Sequence, residues 1–361
     1  MSTPTCCTPS ASSVRSWKKL GQRKNNPMFK FLRRLDRLAE KSPKTFEHAT
    51  EEDVYYCYRL LLDREPDERG WSYWLNLVQN HSLSTQALVD GFLGGYEFQQ
   101  LRAERVRPKL AELPEFKIYA RGNDHFVGAV ILREKQYEPH VSMALHHLLK
   151  PGDVFCDIGA NIGYFSLMAA ARVGSDGQVL AFEPNPDNQN LLRMSIEANN
   201  FSNVILYPYA VSEKEGTLFF TSGGADSNGR IVTAAEQAAW QIELPQVKTV
   251  ALDQLFPDLP RLDVIKMDIE GAEPLAYQGM RQLIERHRPV IILEFNPQLI
   301  KTTSGVSPAA FLADLQTIYR LRSLNQLPKQ QEFPGTISEI NSLIKRLSLT
   351  HLDLIAEPIC L

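Results

Sequence analysis

The chain contains no apolar run near the roughly 18 residues that a membrane-crossing helix requires, so none of its 361 residues is expected to span a bilayer. Cysteine is scarce. The five cysteines (Cys6, Cys7, Cys57, Cys156 and Cys360) show neither zinc-site spacing nor an even disulfide framework, which points to a reducing, cytoplasmic setting. Histidines are dispersed, and the one adjacent pair, His146-His147, lies in a helical stretch and makes no zinc cluster. The amino terminus lacks an apolar segment between its basic residues, so no secretory leader is expected. No internal repeat is present. A large charge excess is also missing overall: the net charge is −3. It is unevenly spread, with about +9 in residues 1–44 and −12 in the remainder. The acidic bulk speaks against a nucleic-acid partner, whose binding face would be basic.

What is present divides into four parts. Residues 1–49 read as a basic, weakly ordered tail rich in Ser, Thr and Pro. Within it, Phe31, Leu35 and Leu38 share one face of a short amphipathic helix, and that face and the basic charge would suit peripheral contact with an anionic membrane surface. Residues 50–103 read as a small all-helical domain, with Trp71, Trp74, Leu75 and Val78 on one helical face and Ser84 placed to cap another helix. Residues 104–114 read as a polar connector. Strand-like pieces follow at 117–120 and 128–132, then a helix over 138–149.

From Val154 strands and helices alternate to the end of the chain, which predicts an α/β fold with a doubly wound, mostly parallel, Rossmann-like sheet over residues 115–361. The strands fall at 154–158, 178–182, 204–211, 263–267, 289–293 and 351–356, with a polar insertion at 221–230 that borders the acceptor pocket.

The most informative segment is Val154-Phe-Cys-Asp-Ile-Gly-Ala-Asn-Ile-Gly-Tyr-Phe-Ser166, followed by Val179-Leu-Ala-Phe-Glu-Pro184. A strand, a glycine turn, a helix and a second strand ending in an acid about twenty residues on form the layout that holds an adenosine-containing cofactor, with the acid on the ribose hydroxyls. The dinucleotide fingerprint lacks its first glycine here; Asp157 stands in its place. An acid there would repel a pyrophosphate but suits the ammonium of S-adenosyl-L-methionine (SAM). The candidate cofactor residues are therefore Asp157 for the ammonium, directly or through water, the turn Gly159, Ala160, Asn161 and Gly163 for close approach of backbone to ligand and of helix to sheet, Glu183 for the ribose, and Asn185, Ala210 and Val211 beside the adenine.

A second cluster lies on the fourth main strand. Lys266, Asp268 and Glu270 share one face by the period-2 rule. A lysine inside an apolar strand needs a carboxylate partner, and Asp268 sits at the strand's carboxyl end, where open α/β sheets bind ligands. Glu270 and Glu273 open the next helix, where the dipole favours acids whatever their role. Methyl transfer to an alcohol needs a proton acceptor, for which Asp268 and Glu270 are candidates. The alternative is Mg²⁺ held by Asp268 and Glu294, with an oxygen from Glu270 or Glu273.

Tyr137-Glu138-Pro139, Gly152-Asp153, Asp157 to Phe165, Phe182-Glu-Pro184, Asn188, Ala210-Val-Ser212, Leu252-Asp253, Ile265 to Glu273 and Glu294 together resemble the FkbM-type methyltransferases over roughly residues 115–360. The resemblance implies a class I SAM-dependent methyltransferase, O-methylation chiefly of sugar and natural-product hydroxyls, and a place near the cofactor for Glu138. The pattern Tyr58 to Arg64, Pro66-Asp67, Gly70, Tyr73-Trp74 and Tyr96-Glu-Phe98 resembles a small helical domain of unknown function found in bacterial glycan-related proteins. Together these imply an O-methyltransferase acting on a glycan or glycosylated intermediate. The competing readings are methylation of a lipid or natural-product alcohol, and a non-catalytic SAM-binding protein whose helical domain mediates interactions.

Overall fold

In the computed structural model, residues 47–222, 229–232, 236–238, 243–325 and 336–359 are described. The amphipathic stretch expected near residue 31 lies outside them. The chain divides into two compact units, one ending at Arg102 and one beginning at Ala103. Among the described residues no helix is long and apolar enough to cross a membrane.

The first unit is helical: α1 (Glu51–Leu61), α2 (Glu68–His81), α3 (Thr85–Gly94) and most of α4 (Tyr96–Val106). Thr50 and Asp53 cap α1 reciprocally, and Ser84 caps α3 through the Ala87 amide. The aromatics that stand out in the sequence are its core. Phe92 stacks on Trp74 at 4.8 Å and meets Tyr58 edge-on at 5.0 Å. Gly70 is required because a Cβ there would lie 2.1 Å from the Tyr58 hydroxyl. Arg64 binds both Glu97 oxygens and Asp67, and lies 4.9 Å over the Tyr58 ring. The motif residues therefore have a packing role that explains them.

The second unit begins with an antiparallel hairpin, β1 (Pro108–Glu112) and β2 (Lys117–Arg121). The stretch 104–114 is thus the end of a helix and a strand, not a free connector. Then come α5 (Gly128–Glu134), α6 (Pro139–Leu148), β3 (Val154–Ile158), α7 (Tyr164–Val173), β4 (Gln178–Phe182), α8 (Pro186–Asn199), β5 (Val204–Tyr207) and β6 (Ala210–Val211). Residues 128–132, expected as strand, are helical. The Asp124 carboxylate takes the amides of Val127 and Gly128 and starts that helix. The expected strand over 204–211 is two strands in different sheets, interrupted at Pro208, which cannot donate to a ladder.

The remainder is β7 (Gly216–Ser222), β8 (Gly229–Val232), β9 (Gln246–Val250), α9 (Leu252–Leu255), β10 (Val264–Met267), α10 (Glu273–Gly279), α11 (Arg281–His287), β11 (Val290–Phe295), α12 (Pro297–Thr303), α13 (Pro308–Gln316), β12 (Tyr319–Ser323), α14 (Ile337–Leu347) and β13 (Leu352–Pro358). The main sheet has seven strands in the order β12-β13-β11-β10-β3-β4-β5. The run β11-β10-β3-β4-β5 is parallel and β13 runs against its neighbours. Each face is buried: Ile158, Phe182, Met267 and Leu293 on one, Phe155, Val179, Val264 and Ile292 on the other. A smaller sheet, β6-β9-β7-β8, follows β5 in the chain. The chain leaves β3 toward β4 and returns on the opposite side at β10, so the switch point that binds ligands in open sheets lies between β3 and β10.

Candidate active site

The carboxyl ends of β3, β4, β10 and β11 open into a cavity of about 870 Å³. Its lining includes seven of the cofactor candidates: Glu138, Gly159, Ala160, Asn161, Glu183, Ala210 and Val211. Lys266, Asp268, Glu270 and Glu294 line the same cavity.

The turn after β3 is fixed onto β4 by the amides of Gly159 and Ala160, both bonded to the Phe182 carbonyl. Gly159 and Gly163 have φ of +85° and +94°. A Cβ on Gly159 would lie 2.1 Å from the Asp268 carbonyl oxygen, and one on Gly163 would lie 2.2 Å from Leu192 Cδ1. Both glycines therefore make room for protein atoms: one lets β3 and β10 end side by side, the other lets α7 pack on α8. That close packing requires glycine at both positions, and Gly159 also lines the cavity.

Glu183 is the anchor at the β4 end. It is 5% exposed, accepts the Asn161 amide at 2.8 Å and the Asn185 amide at 2.7 Å, and still faces the cavity. Burial pushes its carboxyl up to about 7, against the pull of those two N–H groups. Asn185 does not line the cavity; its side chain caps α8 at the Asp187 amide.

Asp157 is set back from the cavity. It is 1% exposed and lies behind the cavity wall. One oxygen accepts from Ser166 Oγ at 2.6 Å and the other, Oδ1, has no hydrogen-bond partner. It pairs in register with Lys266 across β3 and β10. Its charge thus sits directly beside Lys266, behind the cavity wall.

Lys266 is buried, bonded to Asp268 Oδ2 at 3.0 Å and stacked 4.7 Å over the Phe165 ring. Burial pulls its ammonium down, but Asp268, Asp157 and Glu138 together outweigh that and hold it above its usual range. Glu138 caps α6 in a left-handed conformation, φ +38°, and faces this pair; burial and then Asp268 push its carboxyl up despite Lys266. Glu270 has φ +54°, and burial followed by Asp268 pushes it up to about 7 while Arg230 pulls it down. Glu138, Asn161 and Glu270 are thus non-glycine residues held at positive φ around one cavity, a costly arrangement that clusters at functional sites.

Glu273 is turned away from the cavity: Oε1 takes the amides of Ile269 and Gly271. Glu294 lies 3.5 Å from His351 Nδ1, and burial, then Asp268 and Glu270, push it up to about 10. Among the described residues no group of three or more His, Cys, Asp or Glu side chains could hold a metal ion. The expected Mg²⁺ set of Asp268, Glu294 and Glu270 or Glu273 is therefore not assembled. Glu273 is committed to the backbone, and Asp268 is committed to Lys266.

Sequence reasoning missed a group brought in by β13. His351 lines the cavity between Glu294 and Asp353, and Asp353 bonds His140 at 2.6 Å and Asn325 at 2.9 Å. The alternation His351-Leu-Asp353 was visible, but the antiparallel register that sets Asp353 opposite Glu294 was not.

The parallel sheet, the acid at the end of β4, and the glycine turn between them define a SAM-dependent methyltransferase. The residues fit that cofactor: Glu183 keeps acceptor capacity for hydroxyls beside its two amide bonds, and the carboxylate-rich wall suits a sulfonium. Residues 157–312 match the methyltransferase FkbM domain, and residues 41–102 match a domain of unknown function, DUF4214. Residues 157–312 thus form an FkbM-type methyltransferase domain. The chain is 24% identical over 204 residues to the hexuronic acid methyltransferase AglP of Haloferax volcanii, covering 56% of this chain and 77% of that one. It is 27% identical over 183 residues to methyltransferase sdnD of Sordaria araneosa, covering 42% and 68%. A crystal structure of methyltransferase FkbM from Methylobacillus flagellatus KT aligns with a TM-score of 0.35 at 14% identity, over 83% of this chain and 58% of that one.

Proposed function

We propose that this methyltransferase transfers a methyl group to a hydroxyl of a sugar, in a glycan or glycosylated intermediate. The observation that carries this reading is the set of carboxylates at the ends of β10 and β11, Asp268, Glu270 and Glu294, in the same cavity as Glu183. The relationship to a protein named for hexuronic acid methylation supports a sugar acceptor.

An alcohol is a poor nucleophile with a pKa near that of water, about 15.7, so its proton needs an acceptor as the bond to carbon forms. When bound, SAM supplies an electrophilic methyl group on a sulfonium. Glu183 holds the ribose, and Asn161 and Ala160 shape the turn beside it. Asp268 takes the hydroxyl proton. Lys266, pinned between Asp268 and Phe165, orients that carboxylate. Glu270 and Glu138 frame the acceptor. Most of the rate gain comes from holding oxygen and methyl carbon in line.

The test is transfer of a labelled methyl group from SAM to a panel of sugar glycosides, with and without a chelator. A methyl ether on a sugar carbon is the expected product, formed equally in both conditions. Labelled product on fatty or polyketide alcohols alone would overturn the sugar assignment.

A further inference from the structure

Resting on that reading, we infer that the acceptor sugar is neutral or amine-bearing, and that the cavity excludes a uronic acid. Five carboxylates line the cavity (Glu138, Glu183, Asp268, Glu270 and Glu294) against one lysine and one arginine. Both cations are already held. Lys266 is bonded to Asp268, and Arg230 is bonded to both oxygens of Glu236 and to the Ile231 carbonyl. His351 sits between Glu294 and Asp353.

Removing Glu183 for the ribose does not change the balance. The cofactor brings a sulfonium and an ammonium against one carboxylate, which offsets only part of the remaining surplus.

A carboxylate entering this cavity would lose its hydration and find no uncommitted cation among the described residues. Such a juxtaposition of like charges is how a site rejects a wrong partner. A neutral sugar meets the opposite situation. Asn296, Gln298, Asn341 and Thr350 line the same cavity and offer donors and acceptors for hydroxyls. The raised carboxyls at Glu270 and Glu294 report the same penalty: burial and Asp268 already resist a further negative charge here. An amine-bearing sugar would instead pair with the carboxylates. This specificity would separate the chain from its hexuronic acid relative, even though the two share a domain.

The test compares three matched acceptors in each of the gluco, galacto and manno series: the methyl glycoside of the neutral hexose, of its 2-amino sugar and of its uronic acid. The readout is kcat/KM for methyl transfer by the full chain, alongside Glu270→Gln. We expect the neutral or amino glycoside to be preferred over the uronic acid by about tenfold or more. The Gln variant should narrow that ratio several-fold, whatever its absolute rate. A uronic acid used as well as its neutral partner would overturn the inference and leave sugar methylation standing. An unchanged ratio in Glu270→Gln would overturn the charge explanation. Transfer to none of the nine, with S-adenosylhomocysteine binding intact, would overturn the sugar reading and this inference with it.

Discussion

At the β4 end of the cavity a carboxylate is fully provided for: each oxygen of Glu183 takes a backbone amide. At the β10–β11 end carboxylates crowd one another. Glu270 takes no side-chain hydrogen bond among the described residues, Glu294 has only a histidine at 3.5 Å, and Asp268 leans on one buried lysine. Both ends push acids upward by burial, but only one supplies N–H groups to pull back. The first arrangement is complete without a ligand and needs only hydroxyls added in fixed positions. The second is unfavourable by itself, and such local conflict is where a fold gives up stability for chemistry. The β4 end therefore reads as a binding clamp, and the β10–β11 end as the place where charge moves.

The sharpest way to break this contrast is Asp268→Asn. Loss of the proton acceptor should lower kcat by about 10³-fold, while calorimetric affinity for S-adenosylhomocysteine changes by no more than about threefold. A variant that keeps a tenth of its activity would move the chemistry elsewhere in the cluster.

Next in size is Lys266→Met. It fills the same space but leaves Asp157 buried without a counter-charge, which should cost about 3 kcal/mol in urea unfolding. The loss should be larger at pH 8 than at pH 5.5, because protonation relieves the stranded Asp157, whose carboxyl burial already pushes up. An equal loss at both values would mean that the lysine acts through packing alone.

Glu183→Gln probes the clamp. Replacing a charged acceptor of two hydroxyls should weaken S-adenosylhomocysteine binding about tenfold. The wild type adds a pH signature. Its carboxyl, raised to about 7, must be ionised to accept both hydroxyls, so affinity should fall as pH drops from 8 to 6. The Gln variant should show no such fall.

Much of the β4 end was legible in the sequence because it is local. Asp157, the glycines and Glu183 lie in one strand-turn-helix-strand unit whose spacing is set by helix length. Even there the side chains of Asp157 and Asn185 turned to structural partners, which spacing cannot reveal. The short apolar stretch at Gly128 misled because five residues cannot separate strand from helix by period; the deciding signal was Asp124 capping it from upstream. The β10–β11 end was half legible. Lys266 announced itself by unlikely charge in an apolar strand, and Asp268 and Glu270 by following it at the strand's carboxyl end. His140, Asn325, His351 and Asp353 did not, since the contact between His140 and Asp353 spans 213 positions and depends on the antiparallel return of β13.

Glu294→Gln is the smallest and most discriminating test of the crowded end. Burial and its acid neighbours raise this carboxyl from an ordinary 4.5 to about 10, so the folded protein keeps a proton that the unfolded chain has released. Above 4.5 the unfolded state therefore binds fewer protons, and stability falls as pH rises, levelling off only beyond 10. The steepest slope one such group can give is about 1.4 kcal/mol per pH unit. His351, 3.5 Å away, should reduce it by pairing with the ionised form. Between pH 6 and pH 8 we expect the wild type to lose about 1 kcal/mol that the Gln variant keeps, read as a shallower fall of melting temperature with pH. Equal slopes would show Glu294 already ionised against His351. The crowded end would then be as fully paired as Glu183, and the contrast between the two ends of the cavity would disappear.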